Sequence, residues 1–373
     1  MNFKISKSKF YNALQIVTRA ISPNSPLPHL TGVKIDINYD NIVLTGSCGD
    51  ISIQLTLNNE IEENLNLEVI ETGCIVIDSR YITEIVRKID NDIINFEILD
   101  GTLIQISGYH AEFKINGMFA DDYPVIDFSI KDNKIALSAE VLKVIINQTC
   151  FAASDKEVRP LLTGVNFNFK DNLLECVATD SFRLARKRIP LEADANFSIT
   201  IPAKSLNEIS KSLLNDDIIE ICVYGNKAQF NIGNVQIQTR LIDGNYPETN
   251  RLVPTEFSRI MVVDTRSLLN AIDRASFIKN NGISIINLNA SSNGVIISSK
   301  SYEIGSSKEE LAVNSYEGED IEISFSGKYV FDAIRALSSD MVKIEFCGEM
   351  KPFVIHCLKD DSILQLVLPV RTY

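Results

Sequence analysis

The 373-residue chain has no tryptophan, only three histidines, and no apolar run near the roughly 18 residues that cross a membrane. It also lacks a GxxxxGKS or GxxxxGKT phosphate loop, a GxGxxG fingerprint after a strand and an HExxH zinc motif. Its histidines, His29, His110 and His356, are far apart and have no ligand-like neighbours. We therefore predict a protein that is not an enzyme and has no catalytic residues, metal or cofactor.

The seven cysteines form no CxxC pair, and their odd number is typical of reduced thiols in the cytosol. The first ten residues, MNFKISKSKF, contain no apolar segment of the kind found in a secretory signal. These features predict a cytoplasmic protein without a membrane partner.

The net charge of −13 argues at first against a nucleic-acid partner. Helical periodicity predicts helices at residues 6–21, 79–90, 138–154, 203–214, 265–280 and 326–338. These segments carry 14 Lys and Arg against 6 Asp and Glu, whereas the rest of the chain carries 22 against 43. Helix propensity is a competing explanation, although it would favour Glu as well. If the helices share a surface, that surface is basic on an otherwise acidic protein.

A charged pattern recurs three times at a spacing of 124 residues, and on a helix its members share one face. We call these sets the charged stripes: Arg80, Glu84 and Arg87; Lys204, Glu208 and Lys211; Lys328, Asp332 and Arg335. Apolar positions repeat in register on another face: Ile82, Leu206 and Val330; Ile85, Ile209 and Ala333; Ile89, Leu213 and Leu337. A repeat of this length is a domain rather than a solenoid unit.

Each copy is predicted to contain two helices and about eight alternating strands, with the helices segregated to one side, which is α+β architecture. Ser6, Ser138 and Asp264 are matching candidates for the N-cap of the first helix. Tyr123-Pro124 and Tyr246-Pro247 suit the joints between copies. The predicted domains are residues 1–124, 125–250 and 251–373. Similar domains in series that meet head to tail can close into a ring.

Asp180 beside Arg183 suggests a catalytic acid, but an ion pair or turn cap is the favoured interpretation. Asp121-Asp122 and Asp360-Asp361 are read as solvated loop acids rather than as a divalent-ion site. Basic residues without interleaved aromatics predict attraction to duplex phosphates rather than base stacking. There are two rival hypotheses. One is a protein-binding scaffold that does not encircle DNA, and the other is an enzyme that uses Asp180 and Arg183.

Three segments resemble the bacterial DNA sliding clamps, the β subunits of the replicative DNA polymerase III: residues 178–185 (ATDSFRLA), 241–247 (LIDGNYP) and 364–371 (LQLVLPVR). The resemblance spans the whole chain. It implies the DNA clamp fold, a head-to-tail homodimeric ring around double-stranded DNA, helices on the inner face and sheets outside. It also implies a processivity factor that tethers the replicative DNA polymerase, the clamp loader and other proteins carrying short clamp-binding peptides.

The stripes and the resemblance together assign residues to three surfaces. The DNA-binding candidates are Arg80, Arg87, Lys204, Lys211, Lys328 and Arg335, aided by Lys7, Lys9, Lys143, Arg266 and Arg274. The resemblance places a partner-peptide pocket at Leu162, Thr179, Ser181, Phe182, Arg183, Leu184, Pro247, Arg251, Leu252, Pro352, Val367, Leu368, Pro369, Val370 and Arg371. It places the dimer interface at Phe113 and Ile115 of the first domain and Phe277 and Ile278 of the third.

From the residues alone, residues 367–370 also read as a buried strand, and the four interface residues as core. Two positions depart from the family pattern. Asn24 stands where many members have Arg in a DNA-contacting loop, and Phe182 stands where His is common, which predicts a more apolar pocket wall.

Overall fold

The computed structural model describes residues 1–129, 134–213, 217–279 and 282–371, and six α-helices lie within these ranges. They are α1 (Lys7–Val17), α2 (Ser79–Lys88), α3 (Ala139–Thr149), α4 (Ala203–Ser212), α5 (Thr265–Ala275) and α6 (Gly327–Leu337). All six predicted helices are confirmed within a few residues; Leu214 and Asn280, at the ends of two predicted segments, lie outside the described residues. Over the described residues, no helix is long and apolar enough to cross a membrane.

Strands fill most of the remaining chain. The first copy holds β1 (Asn2–Ser6), β2 (Gly32–Ile37), β3 (Asn41–Ser47), β4 (Ile51–Asn58), β5 (Glu68–Glu71), β6 (Gly73–Asp78), β7 (Ile93–Asp100), β8 (Leu103–Gly108) and β9 (Ala111–Asn116). The second holds β10 (Lys134–Ser138), β11 (Gly164–Lys170), β12 (Leu173–Thr179), β13 (Arg183–Pro190), β14 (Phe197–Pro202), β15 (Ile218–Tyr224), β16 (Lys227–Ile232) and β17 (Val235–Arg240).

The third copy holds β18 (Arg259–Asp264), β19 (Ile285–Ser291), β20 (Gly294–Ser301), β21 (Gly305–Leu311), β22 (Ser315–Glu317), β23 (Ile321–Ser326), β24 (Met341–Phe346), β25 (Phe353–Cys357) and β26 (Ile363–Val367). The prediction of two helices and about eight strands in each copy is therefore confirmed.

The chain forms two compact units, and the helices α3 and α4 each contribute residues to both. The first unit, residues 1–141 and 207–241, contains sheets ordered β5-β1-β7-β8-β9 and β10-β15-β16-β17-β4-β3-β2-β6. The second unit, residues 142–206 and 242–373, contains sheets ordered β14-β11-β12-β13-β26-β25-β24-β18-β22 and β21-β20-β19-β23. The large sheet in each unit joins strands of two predicted copies, through β17–β4 and β13–β26. The predicted bounds of the three domains remain predictions.

The apolar faces of the repeated helices lie in the cores. Ile82, Leu206 and Val330, which occupy the same repeat position, are at most 1% exposed. In the first unit, the Phe96 ring stacks on Phe3 at 4.8 Å and meets Phe10 edge-on at 5.1 Å. Each such side chain contributes roughly 1.5–3 kcal/mol by burial. The cores explain why the apolar register recurs along the chain.

The three predicted N-caps differ in what they do. Asp264 Oδ1 accepts from the Ser267 amide at 2.8 Å, and Ser138 Oγ accepts from the Val141 amide at 3.3 Å. Ser6 occupies the cap position of α1 but makes no capping bond; its hydroxyl contacts the Ser8 hydroxyl at 3.2 Å. Ser6 therefore holds the predicted cap position but not the predicted hydrogen bond to a helix amide.

Replacing the two equivalent serines tests this difference. We expect Ser138→Ala to lower the free energy of unfolding by about 0.5–1 kcal/mol, because the α3 amide loses its acceptor. Ser6→Ala serves as the matched control and should change it little, since no helix amide depends on that hydroxyl. Urea unfolding monitored by circular dichroism measures both; an equal loss in the two variants would contradict the assignment.

Candidate partner-binding pocket and basic helix faces

The predicted DNA-binding cations lie mostly on exposed helix faces. All six stripe cations are exposed, as are Arg266 and Arg274, whereas Lys7, Lys9 and Lys143 are half-buried. The stripe residues of α2 and α6 thus present their charges to solvent opposite the buried apolar face.

Acidic neighbours neutralise several of these cations. Arg87 pairs with Glu84 at 2.7 Å, Lys211 with Glu208 at 2.7 Å, and Lys328 with Asp332 at 2.8 Å. Further pairs join Arg80 to Asp78 at 2.8 Å, Lys9 to Glu62 at 3.1 Å and Arg274 to Glu309, and Lys7 donates to the Ile89 carbonyl. The Arg87 guanidinium lowers the pKa of the Glu84 carboxyl, so this acid stays charged. Exposed pairs like these are weak and exchange readily.

Three of the candidate cations form no ion pair among the described residues. Within the described ranges, no hydrogen bond or ion pair is recorded for Lys204, Arg266 or Arg335. Lys204 and Arg335 can meet an anion from solvent without first leaving a carboxylate, whereas Arg266 lies near enough to Asp264 to help lower the pKa of that carboxyl.

The turn at residues 179–183, here called the pocket turn, is fixed by its own side chains. Asp180 Oδ1 accepts from the amides of Phe182 at 2.9 Å and Arg183 at 3.0 Å. Thr179 Oγ1 accepts from the Ser181 amide at 3.1 Å and donates to the Arg183 carbonyl at 2.6 Å. Ser181 has a φ of 78°, an uncommon conformation for a residue with a side chain. The turn therefore holds Phe182, which is 59% exposed, in a defined place.

Arg183 supports this turn from beneath instead of lining its surface. Its side chain is 7% exposed and pairs with Asp180 at 3.0 Å and with Asp332 of α6 at 2.8 Å. Its guanidinium lies 4.5 Å from the Tyr329 ring centre and 5.3 Å from that of Phe151. The geometry matches the ion-pair alternative for Asp180 and Arg183. A partner peptide has little access to this arginine.

The remaining pocket candidates divide by exposure. Ser181, Pro247, Arg251, Leu252 and Arg371 are exposed; Pro352, Leu368, Pro369 and Val370 are half-buried; Leu162, Thr179, Leu184 and Val367 are buried. The buried members act as support beneath the surface, because their side chains are packed in the fold. For Val367, at 0% exposure, the buried-strand interpretation is correct.

The floor near the pocket turn is apolar. An apolar patch on the nine-stranded sheet consists of Val177, Leu184, Val354, Leu364 and Leu366, and the side chains of Tyr246, Val253, Phe257 and Leu368 pack on it. The Tyr246 hydroxyl accepts from the Thr179 amide at 3.1 Å, and the Leu368 amide donates to the Phe182 carbonyl at 2.9 Å. These bonds tie the segment after β17 and the segment after β26 to the pocket turn.

The corresponding joint in the first unit is polar at the same register. Gln238 of β17 lies opposite Ser52 of β4, where Leu366 of β26 lies opposite Leu184 of β13. There the chain after Pro124 is held by side-chain amides of Gln229, Gln236 and Gln238, which donate to the Asp127 and Phe128 carbonyls at 2.8–3.1 Å. Sequence reasoning missed these contacts, because Gln229 is on another strand, and Gln236 and Gln238, two residues apart on β17, resemble an ordinary solvated strand face. The apolar patch of the second joint is a better site for aliphatic and aromatic anchors than this amide-lined part of the first joint.

A separate cleft of about 330 Å³ in the second unit is lined by Val370 and Arg371 together with Asn287, Glu322, Ser324, Glu349 and Met350. The last five were not predicted from the sequence. They come from strands and loops distant along the chain, which no local pattern joins.

The predicted interface residues also divide. Phe113 and Ile115 are half-buried on β9, an edge strand of the five-stranded sheet, and Phe277 is 66% exposed. Ile278 is 1% exposed, so core packing, the alternative interpretation, describes it. An edge strand offers unpaired backbone groups to another chain.

Within the described ranges, no group of three or more His, Cys, Asp or Glu side chains is placed to hold a metal ion. His356 pairs with Glu345 at 3.1 Å, and His29 approaches Asp122 at 3.7 Å. Asp360 caps a turn, accepting from the Ser362 amide at 2.9 Å, and also accepts from Lys187 at 2.9 Å.

Repeated copies of two helices backed by antiparallel strands, with a basic stripe on one helix of each, define the class of DNA clamps. Comparison with known proteins identifies the family. Descriptions of the DNA polymerase III beta subunit match in order: the N-terminal domain at residues 1–127, the central domain at 136–248 and the C-terminal domain at 250–371. The chain belongs to the DNA polymerase III beta subunit family.

Relatives are similar over their full lengths. The beta sliding clamps of Staphylococcus epidermidis and Staphylococcus aureus are 40% and 39% identical, with 100% of each chain covered. The DNA polymerase sliding clamp of Bacillus subtilis superposes with a TM-score of 0.96 at 38% identity, and the DNA polymerase III beta chain of Streptococcus pneumoniae with 0.95 at 33%. Both structural matches cover 100% of both chains. The DNA clamp fold predicted from the sequence is confirmed.

Proposed function

We propose that this protein is a DNA sliding clamp, a non-catalytic processivity factor in DNA replication that keeps the replicative DNA polymerase on its template. The observation that carries the proposal is the set of three consecutive matches to the beta-subunit domains. The exposed basic stripes add the physical means to attract DNA. The Asp180–Arg183 pair, the candidate for a catalytic role, is engaged in holding a turn.

DNA is held by weak, delocalised phosphate contacts from the stripe cations, aided by the other basic candidates. Such contacts carry no sequence information and let the protein move along a duplex. The acids within the stripes, Glu84, Glu208 and Asp332, moderate the attraction. Asn24 is exposed and uncharged, so the loop at that position contributes no charge to a phosphate.

Retention on DNA comes from a closed ring of two chains. In this proposal the copies join head to tail, with Phe113 and Ile115 on edge strand β9 meeting Phe277 of the second chain. The charged helix faces line the hole, and the sheets form the outer wall. Half-buried apolar residues beside an exposed Phe suit the core of such an interface.

Partners dock at the pocket turn. Phe182 and Leu252, 59% and 53% exposed, provide apolar contacts, and Arg251 provides an exposed cation. A short peptide with aliphatic and aromatic anchors fits this chemistry. The replicative DNA polymerase, the clamp loader and other replication proteins would carry such peptides.

The topological proposal predicts different fates on two DNA forms. After loading, we expect the protein to remain on a closed circular duplex and to leave a linearised one, because only the linear form has ends from which a ring can slide. Gel filtration of loaded DNA before and after a single restriction cut measures this. Equal retention on both forms would favour the scaffold hypothesis.

The phosphate contacts predict a salt effect for single cations. We expect Lys204→Ala to reduce the slope of log affinity against log salt by about 1, because one phosphate contact and its released counterions are lost. Fluorescence anisotropy of a labelled duplex over a salt series measures the slope. Lys170→Ala, an exposed lysine of β11 outside the helices, is the control; an equal change there would contradict the assignment to the stripe.

A further inference from the structure

One oxygen atom connects the pocket turn to the charged stripe of α6. Asp332 Oδ2 accepts from Arg183 Nη1 at 2.8 Å and from Lys328 Nζ at 2.8 Å. The Arg183 side chain is 7% exposed, whereas that of Lys328 is 71% exposed. The first cation is fixed in the protein, and the second is free to leave for an anion in solvent.

The fixed cation is also the support of the pocket turn. Arg183 Nε donates to Asp180 Oδ2 at 3.0 Å, and the other oxygen of Asp180 holds the amides of Phe182 and Arg183. The rings of Tyr329 and Phe151 hold the guanidinium in place, so the same group contacts both Asp180 of the turn and Asp332 of α6.

This arrangement occurs on one stripe. Among the described residues, Glu84 pairs with Arg87 and Lys88, and Glu208 pairs with Lys211, all on their own helices. Asp332 alone among the three stripe acids pairs with a residue of another element. Lys204 of α4 therefore serves as a comparison for Lys328, because it occupies the same repeat position and forms no ion pair among the described residues.

We propose that Asp332 couples DNA contact to the pocket turn, with Arg183 as the positioning residue. When a phosphate takes Lys328, Asp332 pairs with Arg183 alone, and the stronger pair tightens the turn that carries Phe182. Linkage makes the effect reciprocal, so a partner that orders the turn also releases Lys328 for DNA. The inference rests on the proposed function in one respect, namely that Lys328 meets a DNA phosphate.

The absence of tryptophan permits a direct test. Phe182→Trp in the 373-residue chain introduces one tryptophan, on the pocket turn, which is excited selectively over the tyrosines. A short fluorescein-labelled duplex is added at low salt, and its anisotropy reports binding while the tryptophan emission reports the turn. The same titration is run with Lys328→Ala, Asp332→Asn and Lys204→Ala added separately to the reporter chain.

We expect the duplex to shift the tryptophan emission in the reporter and in its Lys204→Ala form, and the shift to be lost with Lys328→Ala or Asp332→Asn. Lys328 is exposed, so its replacement leaves the fold intact even if Asp332→Asn does not. A shift that persists with Lys328→Ala overturns the coupling, as does an unchanged emission while the anisotropy shows binding. No rise in anisotropy with any chain would instead refute the DNA contact itself, and the coupling with it.

Discussion

Replacing Arg183 with methionine is expected to cost about 3 kcal/mol of folding stability, since removing one partner of a buried ion pair leaves a desolvated charge behind. Asp332 would lose one of its two cations, and Asp180, whose side chain is 11% exposed, would lose its one basic partner in the described ranges. Asp332 is 25% exposed and keeps its ion pair with Lys328. The expected loss of folding stability is therefore at the lower end of the range for broken buried ion pairs. Methionine preserves much of the packing against Tyr329 and Phe151, so charge is the main difference.

Chemical denaturation measures the loss, and Arg251→Met is the matched control. Arg251 lies in the same unit, pairs with Glu248 at 3.5 Å, and its side chain is 84% exposed. Exposed pairs contribute little, so its replacement should leave stability nearly unchanged. A similar small effect for both arginines would mean that the Arg183 network is not a structural support. We also expect Arg183→Met to weaken partner binding although the residue is buried, because the turn carrying Phe182 loses its anchor.

The sequence could predict the helices well because their apolar positions follow the 3.6-residue period without interruption. Ile82, Leu206 and Val330 recur at one spacing, and each is buried as that pattern requires. Strands such as β2 and β11 show clear alternation and were equally predictable. Local periodicity directly reflects which face of an element is buried.

The site was predictable only in part, because its decisive contacts join distant residues. The two residues of the Arg183–Asp332 hydrogen bond are 149 positions apart in the sequence, so no local sequence pattern predicts it. The same limit applies to Ile278, which is buried while its neighbour Phe277 is exposed. The resemblance placed the pocket residues in one candidate site, which stays a prediction, but the sequence could not separate the exposed candidates from the buried ones that support them.

The exposure of Phe277 leads to the prediction about assembly. Phe277→Ala should weaken association of two chains by about 2 kcal/mol or more, as for a buried aromatic anchor at an interface. This corresponds to roughly a 30-fold rise in the dissociation constant. Folding should be little affected, because the ring is 66% exposed in the single chain. Light scattering over a concentration series, with a dimer near twice the 41.6 kDa chain mass, measures the change.

Phe182→Ala provides the reciprocal control, since its ring is also exposed, at 59%, but lies on the pocket turn. It should leave the dimer intact and reduce binding of the replicative polymerase. Phe277→Ala should dissociate the dimer at concentrations where the wild type is dimeric, and it should leave polymerase binding unchanged. The two effects are expected to separate because Phe277 follows α5, whereas Phe182 lies on the pocket turn. If Phe182→Ala also dissociated the dimer, or Phe277→Ala left the mass unchanged, the two surfaces would have been assigned wrongly.

A stable monomer in the unmodified protein would refute the two-chain ring itself, because three domains in one chain would then have to hold DNA without closing around it.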